Sequence, residues 1–130
     1  MTAFVDTNIL VRHLTGSPPA MARRATAFLA SQPELYLADL IVAETVYVLE
    51  SFYKAPRDQV AEAMRSLIAM RSMITVDPAL LLRAIEVYEV DRLDFAEAYL
   101  VASAESTGIG SIASFDKAID RVTTVTRLEP

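Results

Sequence analysis

Five carboxylates sit where a plain apolar core would not place them, and their types suggest what chemistry the chain could carry. Asp6 and Asp116 each follow an apolar, strand-like run, residues 3–5 and 112–115. Open α/β sheets bind ligands just beyond the carboxyl ends of their strands. An aspartate there is also a common helix cap, so each of the two has both readings. Glu44 lies inside the run LIVAETVYVL, residues 40–49, with Ile41 and Val48 on its side of a helix. A lone carboxylate so placed needs a partner or a raised pKa, and Arg12 or Lys54 could supply a structural ion pair. Asp94 and Glu97 are three apart and share a helix face. That spacing also fits a capping box, with Asp94 as the cap. The two roles are compatible: Glu97 is read as a ligand, Asp94 as site wall or second ligand.

Like charges gathered in one place raise each other's pKa unless a cation neutralises them. Oxygen-only ligation suits a hard divalent ion, Mg²⁺ or Mn²⁺, and not zinc. Such an ion polarises a phosphodiester and lowers the pKa of a bound water, so no nucleophilic side chain is needed. The chain has no cysteine, which excludes a thiolate zinc site and a disulfide framework.

The elements that must position these acids are short. Strands are expected at residues 3–5, 35–37, 74–76, 112–114 and 122–125. Helical turns are expected over 9–14, and helices over 20–31 behind Pro18 and Pro19, from Asp39 as cap to 53, over 57–71, from the Asp77-Pro78 start to 90, and over 95–106 up to Gly108. A further helical turn covers 117–120. Strands alternating with helices predict an α/β sandwich with a mostly parallel sheet.

At 130 residues the chain fits one domain, residues 1–130. Its apolar fraction of 53% and mean hydropathy of +0.32 imply a core plus some covered subunit surface, since no run is long enough to span a membrane. The net charge of −5 argues against a broad basic nucleic-acid surface. It leaves open a site that meets phosphate through a metal. The start MTAFVDTNIL shows no basic leader, so a cytoplasmic setting is expected.

Taken in order, FVDTNILVRHL (4–14), VAETVYVL (42–49), LDFAEAYLVASAE (93–105), SIASFDKAIDRV (111–122) and TRLEP (126–130) resemble the PIN-domain family. The likeness is specifically to the VapC-type ribonuclease toxins of type II toxin–antitoxin modules, and it runs over essentially the whole length. It implies a three-layer α/β/α sandwich with a central sheet of four to five strands. Its four acids match Asp6, Glu44, Glu97 and Asp116, with Asp94 at an extra aspartate. Thr7, Asn8 and Ser114 match polar residues that orient carboxylates or water. Glutamate at 97 replaces the usual aspartate, and its extra methylene could make ligation water-mediated. The resemblance further implies an Mg²⁺ or Mn²⁺ cofactor, endonucleolytic cleavage of RNA, a homodimer and a cognate VapB-type antitoxin, through which alone DNA would be met. Asp6, Asp116 and Glu97 are then ligands, and Glu44 holds or orients a water.

Arg12, Lys117 and Arg121 are candidate phosphate contacts, with a solvated or salt-bridged role as the alternative. His13 is read as a flanking or core residue. Most of the tyrosines are read as core or interface, and Met64, Met70 and Met73 with Leu67 and Ile68 as an apolar stripe, either core packing or a face buried against the antitoxin. Two rival functions stay open: an inactive PIN-like scaffold that only binds, and a metal-dependent DNA nuclease.

Overall fold

A computed structural model describes residues 2–130, which divide into two compact units, residues 2–76 and 77–130. In the first unit the order is β1 (Thr2–Phe4), α1 (Thr7–Thr15), α2 (Pro19–Ser31), β2 (Glu34–Tyr36), α3 (Asp39–Ser51), α4 (Arg57–Ala69) and β3 (Met73–Ile74). The strands pair in parallel in the order β1-β2-β3, with Ala3 opposite Leu35 and Leu35 opposite Met73. Parallel neighbours need crossovers, which the helix pairs α1–α2 and α3–α4 provide. Leu35 is wholly buried between exposed Glu34 and Tyr36, so β2 shows the expected alternation. The helices close over it with Leu10, Leu29, Val42, Val46, Val60 and Leu67, all buried. Each such side chain contributes about 1.5–3 kcal/mol of transfer free energy.

The second unit runs α5 (Pro78–Glu86), a π-helical turn (Val87–Asp91), α6 (Phe95–Thr107), β4 (Ser111–Ala113), a 3₁₀ turn (Lys117–Arg121) and β5 (Thr126–Leu128). α5 packs along α6 through buried Leu81, Ala84, Ile85, Ala98 and Val101. β4 and β5 are parallel, Ile112 opposite Arg127.

The α/β class and the parallel pairing agree with the reading of the sequence. The strands hydrogen-bond as three and two, so each sheet has fewer strands than the four to five implied for one sheet. Three local expectations change. The last strand is Thr126–Leu128 and not 122–125: Val122 closes the 3₁₀ turn by donating to Ile119, and Thr123-Thr124 is a turn. Register with β4 outweighs the β-propensity of the earlier valines. Asp39 is the first residue of α3 and not its cap, which is Ala38. The helix expected to reach residue 90 widens after Glu86 into the π turn, which keeps Val87 and Tyr88 both buried and ends at Arg92 with φ +60°. Asp77 caps α5 through the Leu80 amide, and Gly108 ends α6 in the left-handed conformation, both as expected. No helix among the described residues is long and apolar enough to cross a membrane.

Candidate active site

Three of the five acids are helix caps. Beyond β1, Asp6 accepts from the Thr7 amide at 2.7 Å at the head of α1. Asp94 heads α6 and accepts from the Glu97 amide at 2.8 Å. Past β4, Asp116 heads the 3₁₀ turn and accepts from the Ala118 amide at 2.9 Å, while its own amide donates to Ser114 Oγ at 2.9 Å. A cap pins one carboxylate oxygen and fixes the plane of the group. The capping reading and the site reading of these aspartates are therefore satisfied together.

In the first unit, Asp6, Thr7, Asn8, Arg12, Glu44 and Tyr53 line one hollow of about 350 Å³. Glu44 is exposed there, and the buried stripe of α3 is Val42, Thr45, Val46 and Leu49. Val48, an expected same-side neighbour, lines the hollow with Glu44, but Glu44 itself sits off the buried stripe and is exposed. No ion pair joins it to Arg12 or Lys54 among the described residues. The Thr7 hydroxyl is buried in the wall of the hollow and meets no hydrogen-bond partner among the described residues. Such a group costs about 1–3 kcal/mol unless something bound beside it accepts or donates.

In the second unit, Glu97 is half-buried against Asp94 and Asp116. Burial first, then hydrogen bonds to the carboxyls of Asp94 and Asp116, push its carboxyl up to about 8. Asp116 moves the other way, held below its usual range by the Ala118 amide and by Glu97. The neutral form is therefore favoured at Glu97 and the ionised form at Asp116. Among the described residues no three acidic or imidazole groups are arranged to hold an ion by themselves.

A family model described as PIN domain matches residues 3–125. The chain belongs to the PIN-domain family. No curated protein matches it. Among solved structures it is similar to VapC20 of Mycobacterium tuberculosis, described as a sarcin-ricin loop cleaving toxin. Identity is 20%, coverage is 91% of this chain and 92% of that one, and the TM-score is 0.44. What that toxin cleaves is a property of that toxin.

The remaining expected residues of this PIN domain fall as follows. Asn8 and Arg12 border the Asp6 hollow, and Ser114 steadies the Asp116 amide. Lys117 is exposed, directly after Asp116. Arg121 commits Nη1 to the carbonyls of Arg92 at 3.0 Å and Asp91 at 3.4 Å, so it braces the left-handed turn before Asp94. His13 bonds Thr26 at 2.8 Å, tying α1 to α2, which fits its flanking role. Of the tyrosines only Tyr88 is fully buried, whereas Tyr36, Tyr47 and Tyr53 are exposed. Met64 and Leu67 are core.

Two residues escaped the sequence reading. Tyr53 borders the Asp6 hollow. Arg127, with a side chain 11% exposed, bonds the Ser114 carbonyl at 3.0 Å and Asp120 at 3.1 Å, and its charge helps keep Asp116 ionised. Only the β4–β5 register brings residue 127 beside residue 114, and no local spacing signals it.

Proposed function

We propose that this PIN domain is a metal-dependent endoribonuclease toxin, restrained by a cognate VapB-type antitoxin. The observation that carries the reading is the contact of Glu97 with Asp94 and Asp116 on capped elements. Among the described residues no three acids are arranged to hold an ion by themselves, so water or phosphate oxygens would complete its shell. Crowded acids of this kind suit a hard divalent cation, Mg²⁺ or Mn²⁺, that takes the place of the proton favoured at Glu97. The partnerless Thr7 hydroxyl beside Asp6 fits the same chemistry. On this reading residues 1–130 act as one nuclease domain, with Asp6, Glu97 and Asp116 as metal ligands and Asp94 supporting Glu97. When bound, that ion supplies Lewis-acid polarisation of the phosphate and a water of lowered pKa. Glu44 orients a water by accepting its hydrogen bond, while Thr7, Asn8 and Ser114 hold carboxylates in place. Arg12 and Lys117 contact flanking phosphates, and Arg121 keeps its bracing role. The products are 5′-phosphate and 3′-hydroxyl ends.

Exposed Leu40, Tyr47 and Phe52 on and after α3 support a covered face, for which we propose a homodimer or the antitoxin. The protein acts in the cytoplasm on this reading.

The test compares matched single-stranded RNA and DNA with Mg²⁺ or Mn²⁺ and with EDTA. RNA is cut only with metal, and Asp116→Asn is slower by about 100-fold or more. Cleavage that persists in EDTA overturns the metal mechanism, and equal cutting of DNA turns the assignment to a DNA nuclease. Calorimetry showing no Mn²⁺ binding by the wild type leaves the scaffold reading.

A further inference from the structure

Beside the Asp6 hollow lies a second one of about 340 Å³, between α1 and α2, bordered by Asn8, Arg12, Met21, Arg24 and Phe28. Residues 21, 24 and 28 recur at three and four positions along α2 and so form one face, which flanks the buried stripe of Ala22, Ala25 and Leu29 and meets it at Ala25 in the floor of the hollow. No acidic residue borders this hollow. Neither Arg12 nor Arg24 has an ion pair or side-chain hydrogen bond among the described residues. Arg83 and Arg127, by contrast, are tied to acids. Arg24 meets no acid at this hollow, and Arg12 reaches it from the wall it shares with the Asp6 and Glu44 hollow, so in a chain of net charge −5 the two guanidiniums favour an anion here. Phe28 and Met21 stay 40% and 43% exposed next to them, an apolar surface beside the charges. Asn8 and Arg12 border both hollows, so the two are neighbours.

We propose that this α1–α2 hollow is a nucleotide subsite for the RNA strand: Arg24 with Arg12 grips a phosphate flanking the scissile bond, and Phe28 offers its ring to a base. The inference rests on the ribonuclease reading and extends it to residues outside the acid set. Guanidinium forks match phosphate oxygens, and single-stranded RNA is held largely by bases stacked on aromatic rings or guanidinium planes. Two guanidiniums beside an exposed aromatic ring, next to the acids, favour a nucleic-acid strand over a peptide as the occupant. Arg24 and Phe28 are positioning residues, because the reacting atoms lie at the acids.

The test measures anisotropy of a fluorescein-labelled, mixed-sequence single-stranded RNA 12-mer with Mg²⁺, using Asp116→Asn protein to suppress cleavage. Arg24→Gln and Phe28→Ala each weaken binding about tenfold, and Arg24→Gln lowers the salt slope by about one. In otherwise wild-type enzyme, Arg24→Gln raises KM by more than it lowers kcat. Arg23→Gln, the same charge change one residue away and bordering a different hollow with His13 and Thr26, leaves binding unchanged. Equal losses in Arg23→Gln and Arg24→Gln overturn the subsite in favour of diffuse electrostatics. Unchanged RNA binding in Arg24→Gln and Phe28→Ala overturns it too and gives the hollow to a protein partner, leaving the nuclease reading intact. Absence of RNA binding and cleavage by every form, with circular dichroism confirming folding, overturns the nuclease reading together with the subsite.

Discussion

Glu97 is the residue on which the local electrostatics turn. Its carboxyl is raised to about 8 by burial and by two acidic neighbours, so the metal-free fold favours the neutral form. The sign follows from linkage. A group whose folded pKa is raised contributes stability that is complete below its unfolded value, near 4.5, and is lost as pH rises through about 8. Glu97→Gln keeps the neutral shape without a titrating proton. In EDTA the wild-type Tm is expected to fall between pH 5 and 9 relative to Glu97→Gln, by about 3 °C after allowance for solvent screening. Parallel Tm profiles in a pH series would show that Asp94 and Asp116 do not crowd Glu97.

At the scale of elements, the second unit is joined by a brace remote from its acids. Arg83 on α5 bonds Glu105 on α6 through Nε at 2.8 Å and Nη2 at 2.9 Å, and Glu105 also accepts from Thr124 in the turn before β5. Arg83, followed by Thr124, holds the Glu105 carboxyl below its usual range against the opposing effect of burial. A depressed carboxylate stabilises above its unfolded pKa, near 4.5, and the contribution disappears as pH falls through the lowered folded value. Glu105→Gln is expected to cost about 1 kcal/mol at pH 7, read from urea melts, because Arg83 is still one-third exposed. The difference from wild type should vanish in strong acid. A constant difference from pH 7 to pH 2 would assign the effect to packing and not to the ion pair.

For the whole molecule, the acid set is divided between the units: Asp6 and Glu44 in the first, Asp94, Glu97 and Asp116 in the second. If they serve one ion, Mn²⁺ should stabilise the protein by about 2.7 kcal/mol at a hundredfold excess over Kd. Asp6→Asn and Asp116→Asn should each remove most of that gain in thermal melts. Retention of the full gain by Asp6→Asn would separate the two groups of acids.

Much of this was legible in sequence because it is local. Cap chemistry, a first-turn proline and apolar spacing act within a few residues, so α2, α4, α6 and the start of α5 emerged from the chain alone, as did the acids themselves and their family. Tertiary structure decided what depends on residues distant in sequence. Register with β4 moved the last strand to Thr126–Leu128 and carried Arg127 to Ser114. The packing face of α3 turned Glu44 outward from a run that reads as core. The meeting of Glu97 with Asp94 and Asp116 raised the Glu97 carboxyl, while the Ala118 amide and Glu97 lowered that of Asp116. Local propensities are set by neighbouring side chains and backbone sterics, whereas burial, register and charge proximity exist only once separate segments share a volume.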